Sequence, residues 1–182
     1  MDSNAQPGST VSASNSTDSL NNLNWNFDLA NTTRWTGGTS TAWATASNWS
    51  NGVPTASLTA IINGGGTYQP AVTSAATAKA LYMSGSSTLT LTALLTVVND
   101  VKVYAGSTID ASGSGGRLTC ATYTQYGGTF TGGAGAVTIT GEFTLSGGNF
   151  TCPSSNLQID TKFTKTGGSF IHNNGTVILD PS

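Results

Sequence analysis

Three Gly-Gly pairs, at 127–128, 147–148 and 167–168, each stand just ahead of a phenylalanine: Phe130, Phe150 and Phe170. The spacing is twenty residues each time, and a short fixed period with glycine at constant phase marks one structural unit stacked on copies of itself. Laid out in rows from Tyr123, Phe143 and Phe163, the chain agrees by chemical type. Tyr123, Phe143 and Phe163 share one column, and Phe130, Phe150 and Phe170 a second. Val137, Leu157 and Val177 make a third, and Ile139, Ile159 and Leu179 a fourth. Polar residues alternate with them, as in Val137-Thr138-Ile139-Thr140, which is the period of a strand with one buried face. We assign these positions to a core ladder.

The ladder continues upstream through Thr108-Ile109 and Thr88-Leu89, with one extra residue before Thr129-Phe130. Met83 and Val103 are placed in the Tyr123 column, Leu81 and Val101 in a neighbouring one, and Leu118 and Cys120 in the Val137 and Ile139 columns. The Gly/Ser-rich stretch Ala111 to Arg117 then reads as a loop bulging from one coil. A unit this short cannot bury its apolar positions alone, whereas stacked coils pair each strand in parallel with its copy. The predicted fold is all-β, a parallel β-solenoid of about five coils of about twenty residues, with an extended N-terminal arm and a Trp-rich cap. Residues 1–33 form the arm, 34–80 the cap and first coil, and 81–182 the solenoid repeats.

Within the arm, Leu23 to Leu29 alternates strictly between apolar and polar residues. A strand of that kind needs an apolar surface to lie on, so Leu23, Trp25, Phe27 and Leu29 are expected to dock on a partner. Trp35, Trp43 and Trp49, interspersed with Gly, Ser, Thr and Asn, are expected to cover the first coil.

Composition excludes several roles. Only 8% of residues are charged and the net charge is −2, with no basic stripe to displace counterions, which argues against nucleic acid. No apolar run is long enough for a membrane span. The first residues show neither the basic segment nor the apolar core of a secretory leader. Cys120 and Cys152 lack metal or redox spacing and are read as small buried apolar residues.

The series Trp35-Thr36-Gly37-Gly38, Trp43, Ala46-Ser47-Asn48-Trp49 and Gly52-Val53-Pro54, followed by Ile61-Ile62 and Leu-Thr-Leu repeats, resembles the amino-terminal part of large bacterial surface β-solenoid proteins of the autotransporter-like kind. Gly167 to Asp180 resembles their repeats. The resemblance spans Trp35 to Asp180 and implies the solenoid fold and a role as stalk, adhesin or sheath. A short, signal-less solenoid with an arm also looks like a phage virion β-helix protein, such as a capsid decoration protein, head fibre or tail-fibre piece.

Catalytic chemistry has little to work with. His172 is the only histidine and lies on a turn. Asp160 and Asp180 share an outward column, the geometry of a weak calcium site, but neither catalysis nor a metal is assigned to them. Glu142 and Lys162 are expected to form an exposed ion pair. The TxT pattern of Thr138 and Thr140 lapses at Gln158 and Asp160, and the sequons at Asn15, Asn31, Asn48, Asn149 and Asn174 are assigned no role. The expectation is a non-enzymatic structural protein without cofactor. Its expected partners are other subunits, either copies of itself, a trimer for a virion role, or a capsid, tail or filament protein. Surface carbohydrate is the alternative partner, reached through the 111–117 loop. Its expected location is the virion, or the cell surface and extracellular space.

Overall fold

The structure, a computed structural model, describes residues 31–180 together with the backbone of 11–13 and 25–27. Strand β1 (Val11–Ala13) pairs in parallel with β2 (Trp25–Phe27). The strand expected over 23–29 is thus seen at 25–27, hydrogen-bonded within the chain, and Leu23 and Leu29 lie outside the described residues.

Strand β3 (Thr32–Arg34) lies parallel to β4 (Thr59–Ile62), and from β4 onward the chain winds through six coils of three strands. The first coil holds β4, β5 (Ala71–Val72) and β6 (Ala76–Ala78). The second holds β7 (Leu81–Met83), β8 (Thr88–Leu91) and the start of β9 (Leu94–Val103). The third continues β9 and adds β10 (Thr108–Ala111) and the start of β11 (Arg117–Gln125). The rest of β11, β12 (Thr129–Gly132) and β13 (Val137–Ile139) make the fourth. Strands β14 (Glu142–Leu145), β15 (Asn149–Thr151) and β16 (Asn156–Ile159) make the fifth. The sixth consists of β17 (Lys162–Lys165), β18 (Ser169–Ile171) and β19 (Thr176–Leu179). Every pairing between coils is parallel, giving a three-faced all-β solenoid.

The first face carries the inward columns Ala60–Leu81–Val101–Tyr123–Phe143–Phe163 and Ile62–Met83–Val103–Gln125–Leu145–Lys165. Met83 and Val103 therefore belong with Gln125, and Leu81 and Val101 with Tyr123, the reverse of the expected assignment. The cause is the longer turn at 112–116, which places three extra residues between β10 and β11 so that Val97 faces Cys120; a bulge at the corner, where Val98 and Asn99 face the single residue Ala121, takes one of them back and leaves Val101 facing Tyr123. The expected 111–117 loop is also narrower, because Ala111 and Arg117 are strand ends and Ala111 points into the core.

Side-chain volumes compensate within a coil. On the second face the inward pair runs Leu89/Leu91, Ile109/Ala111, Phe130/Gly132 and Phe150/Cys152 down the stack. As one position grows from Leu to Phe its neighbour shrinks, because every coil must fill the same cross-section at close-packed density. Phe130 and Phe150 stack at 4.6 Å, and Tyr123 meets both edge-on at 6.0 and 5.5 Å. Tyr123 donates to Gln125 Oε1 at 3.1 Å, and Gln125 Nε2 donates to the carbonyls of Gly128 and Asn149. A buried glutamine in an apolar column is satisfied in this way.

The glycine pairs have separate duties. Gly128, Gly148 and Gly168 turn the corner between the first and second faces at φ of 70, 74 and 65°, and Gly64, Gly85 and Gly106 do the same in earlier coils. The first glycine of each pair sits against the backbone of the coil before it, where a Cβ would collide with Tyr126 O at Gly147 or Ser146 O at Gly167.

The ladder loses burial at its last rung. Phe163, Phe170 and Val177 are only partly buried, and Leu179, placed in the core by sequence pattern, is 57% exposed because no strand lies beyond it. Replacing the fully buried Phe150 with alanine is expected to cost about 3–5 kcal/mol in chemical denaturation followed by circular dichroism. Phe170→Ala should cost clearly less. Equal losses at the two positions would contradict the graded burial.

Candidate functional site

The tryptophan cap is a packed unit. Trp49 meets Trp35 and Trp43 edge-to-face at 5.0 and 4.7 Å, and all three are buried. Trp35 Nε1 donates to Tyr68 O at 2.7 Å and Trp49 Nε1 to Trp43 O at 2.8 Å. Asn48 ties the connecting loop together. Its Oδ1 accepts from the backbone N–H of Thr39 and Ser40 and from the Thr39 hydroxyl, while its Nδ2 donates to Ser40 Oγ and Ala42 O. Read from sequence only as a chance sequon, Asn48 is a buried structural hub whose amide is fully engaged.

The core ladder lies inside, with Tyr123, Phe130, Phe143, Phe150, Ile139 and Ile159 buried. His172 is exposed on a turn, its Nε2 2.7 Å from Gly175 O. Asp160 accepts from Gln158 Nε2 at 2.7 Å. Glu142 and Lys162 are register partners, but the ion pair formed among the described residues is between Asp100 and Lys102. No group of three or more His, Cys, Asp or Glu able to hold a metal ion occurs among the described residues.

Chemistry-bearing side chains instead gather on the first face, at the bulge. Lys102 Nζ lies 3.0 Å from Asp100 Oδ2 and 5.0 Å from the centre of the Tyr82 ring, its neighbour one coil back. Burial first, and then the hydrogen bond that the phenol donates to Asp100 and the charge of that carboxylate, raise the Tyr82 phenol. Burial alone would lower Lys102, but the hydrogen bond to Asp100 and the surrounding charges leave it raised, so the ammonium is held firmly protonated. Beside this group Tyr104 and Tyr126 stack at 5.0 Å with their planes 21° apart. Tyr126 is 50% exposed, and the next side chains along its column are Ser146 and Thr166. The bulge turns Asn99 and Asp100 outward, opening a groove of about 440 Å³ lined by Asn99, Asp100, Lys102, Ala121 and Thr122.

None of these residues stood out in the sequence. Tyr104 and Tyr126 are twenty-two residues apart, as are Val101 and Tyr123, so a twenty-residue frame separates positions that the longer 112–116 turn and the bulge together bring into line. A further depression of about 220 Å³ is lined in part by Trp43, Val53, Pro54 and Ala75.

Scans against protein-family models, curated proteins and solved structures find no match. No helix among the described residues is long and apolar enough to cross a membrane.

Cys120 and Cys152 are free thiols, buried in different columns. Burial, reinforced by the charge of Asp100, pushes Cys120 from 9.0 up to about 12, and burial pushes Cys152 up to about 11. Raised acids stabilise the fold fully below the unfolded-state value, and that stability is lost as pH climbs toward the folded value. Stability should therefore fall between pH 9 and 11, by about 3 kcal/mol from Cys120 alone. Cys120→Val should flatten that decline in denaturation series at stepped pH. An unchanged slope in the variant would show that the thiol is not the titrating group.

Proposed function

We propose that the protein is a non-enzymatic structural subunit of a larger assembly, and more specifically a virion component of the capsid-decoration, head-fibre or tail-fibre kind anchored by its N-terminal segment. The supporting observation is the unfinished apolar ladder of the sixth coil. Leu179 and Ile171 are 57 and 46% exposed, and Phe163, Phe170 and Val177 are half covered beside them. Among the described residues, no strand is bonded on the outer side of the same strands, β17, β18 and β19. One further β layer would bury those side chains and pair those backbone groups, as edge strands and apolar patches generally demand. The solenoid itself is a rigid spacer, six coils at about 4.8 Å each, or roughly 30 Å along its axis.

Sedimentation over a concentration series tests the role. Self-association or capture of a virion partner that is weakened at least tenfold by Leu179→Lys, with melting shifted little, supports it. A strictly monomeric chain whose behaviour is indifferent both to Leu179→Lys and to removal of residues 1–30 overturns it.

The groove at the bulge and the Tyr104–Tyr126 stack beside it favour a second reading, an extracellular surface adhesin or filament-forming solenoid that binds carbohydrate. That role would agree with the resemblance of the cap and repeats to bacterial surface solenoids.

A further inference from the structure

We infer that the groove at the β9 bulge, together with the Tyr104–Tyr126 stack that neighbours Lys102 beside it, is a binding site for a neutral glycan, two to three coils long. The inference deepens the carbohydrate-binding reading and rests on it.

The site differs from the rest of the surface in every relevant property. Outward columns elsewhere are mostly Thr and other small polar residues, as in Thr77–Thr96–Thr119–Thr138 on the third face. Here Tyr82 and Tyr104 flank the Asp100–Lys102 ion pair and Tyr126 stacks on Tyr104 one coil further on. A parallel stack admits an extra residue only by breaking register, and bulges of this type are used to re-aim side chains. The bulge does so at Asn99 and Asp100, leaving an amide and a carboxylate at the groove's edge.

The ligand class follows from the lining. Asp100 offers acceptors, Lys102 donors, and Asn99 and Thr122 both, so a groove of net neutral charge presents alternating hydrogen-bond groups. Such a lining suits a polyol better than an ion. The Tyr104–Tyr126 stack runs along the coil axis and stops at Tyr126, whose far face looks toward Ser146 rather than another ring. An aromatic face left open beside polar groups matches a pyranose, which has an apolar C–H face and a rim of hydroxyls. From Tyr82 to Tyr126 the site spans two coil steps, about 10 Å. The groove is too open to enclose an apolar side chain of a protein partner, and the Asp100–Lys102 pair leaves no net charge for an ionic one.

The test uses the full chain with a panel of neutral hexasaccharides: β-1,4-glucan, α-1,4-glucan, β-1,4-mannan and β-1,4-galactan. Binding is read by calorimetry and by amide shift perturbation in nuclear magnetic resonance. At least one glycan is expected to bind, with perturbations centred on residues 99–104 and 122–126. Tyr126→Ala and Asp100→Ala should each weaken it at least tenfold. Tyr126→Phe, which keeps the ring, should bind within about threefold, as should Tyr68→Ala, which removes an exposed tyrosine elsewhere. Binding that survives Tyr126→Ala and Asp100→Ala, with perturbations on another face, would overturn this site while leaving the carbohydrate-binding reading intact. No binding to any of the four glycans, in calorimetry or in shifts, would overturn both.

Discussion

In-register stacking of each coil on the one before is the constraint from which the remaining features of this molecule follow. Parallel strands at a spacing of about 4.8 Å leave no freedom for one coil to be wider than its neighbour. A larger side chain at one inward position must be answered by a smaller one beside it, which is why Phe130 sits with Gly132 and Phe150 with Cys152 where Leu89 sits with Leu91. The same constraint reaches the backbone. One corner is turned in all six coils by a glycine at positive φ, since only that conformation brings the chain round in the space the previous coil leaves. The Tyr123–Gln125 pair shows that the constraint concerns shape and satisfaction rather than polarity: an amide fits an apolar column once its donors and acceptor are all engaged.

Where the period is strict, the fold was legible from sequence. Phe130, Phe150 and Phe170 gave the repeat, and alternation around Ile139 and Ile159 gave strands with one face inside. Legibility failed where register shifts. Three extra residues in the 112–116 turn, less one at the Val98–Asn99 bulge, moved Val101 and Val103 by two residues, one inward column, relative to a twenty-residue frame, and that shift also concealed the alignment of Tyr104 with Tyr126. A second gap concerns Asn48, whose role depends on Thr39, Ser40 and Ala42 folding back over it; no local pattern encodes contacts made by an irregular loop. Leu179 is a third case, since periodicity assigns a column but says nothing about whether another coil covers it.

The low charge of the chain has the same origin as its regular core. Outward residues stack on their equivalents just as inward ones do, so a charged column would set like charges about 5 Å apart over several coils, at a cost in every step. Threonine avoids this while favouring extended backbone. The second face shows it, with Thr88, Thr108 and Thr129 in one column and Thr90, Thr131 and Thr151 in the next, although Asp110, Asn149, Ser169 and Ile171 interrupt the TxT pattern here as well. Charges are tolerated where register breaks and opposite signs meet, and Asp100 with Lys102 at the bulge is such a place.

The two ends of the described solenoid are chemically unlike, and this bears on how copies could join. The first coil is covered by β3, with Thr33 over Ala60 and the Trp35–Trp43–Trp49 cluster packed against the core. The sixth coil presents Phe163, Phe170, Val177 and Leu179 with open strand edges. A partner reaching the open end therefore has to bring a surface different from that end or meet it across a two-fold axis. In the first case the contact is heterologous, and it propagates into a ring or filament unless a different protein terminates it. In the second it is self-limiting, since two open ends bury one another and leave only capped ends outside. An anchored spacer requires the terminating kind of contact and a polymeric sheath the propagating kind, so the symmetry at the sixth coil separates the structural roles more sharply than any feature of the solenoid wall.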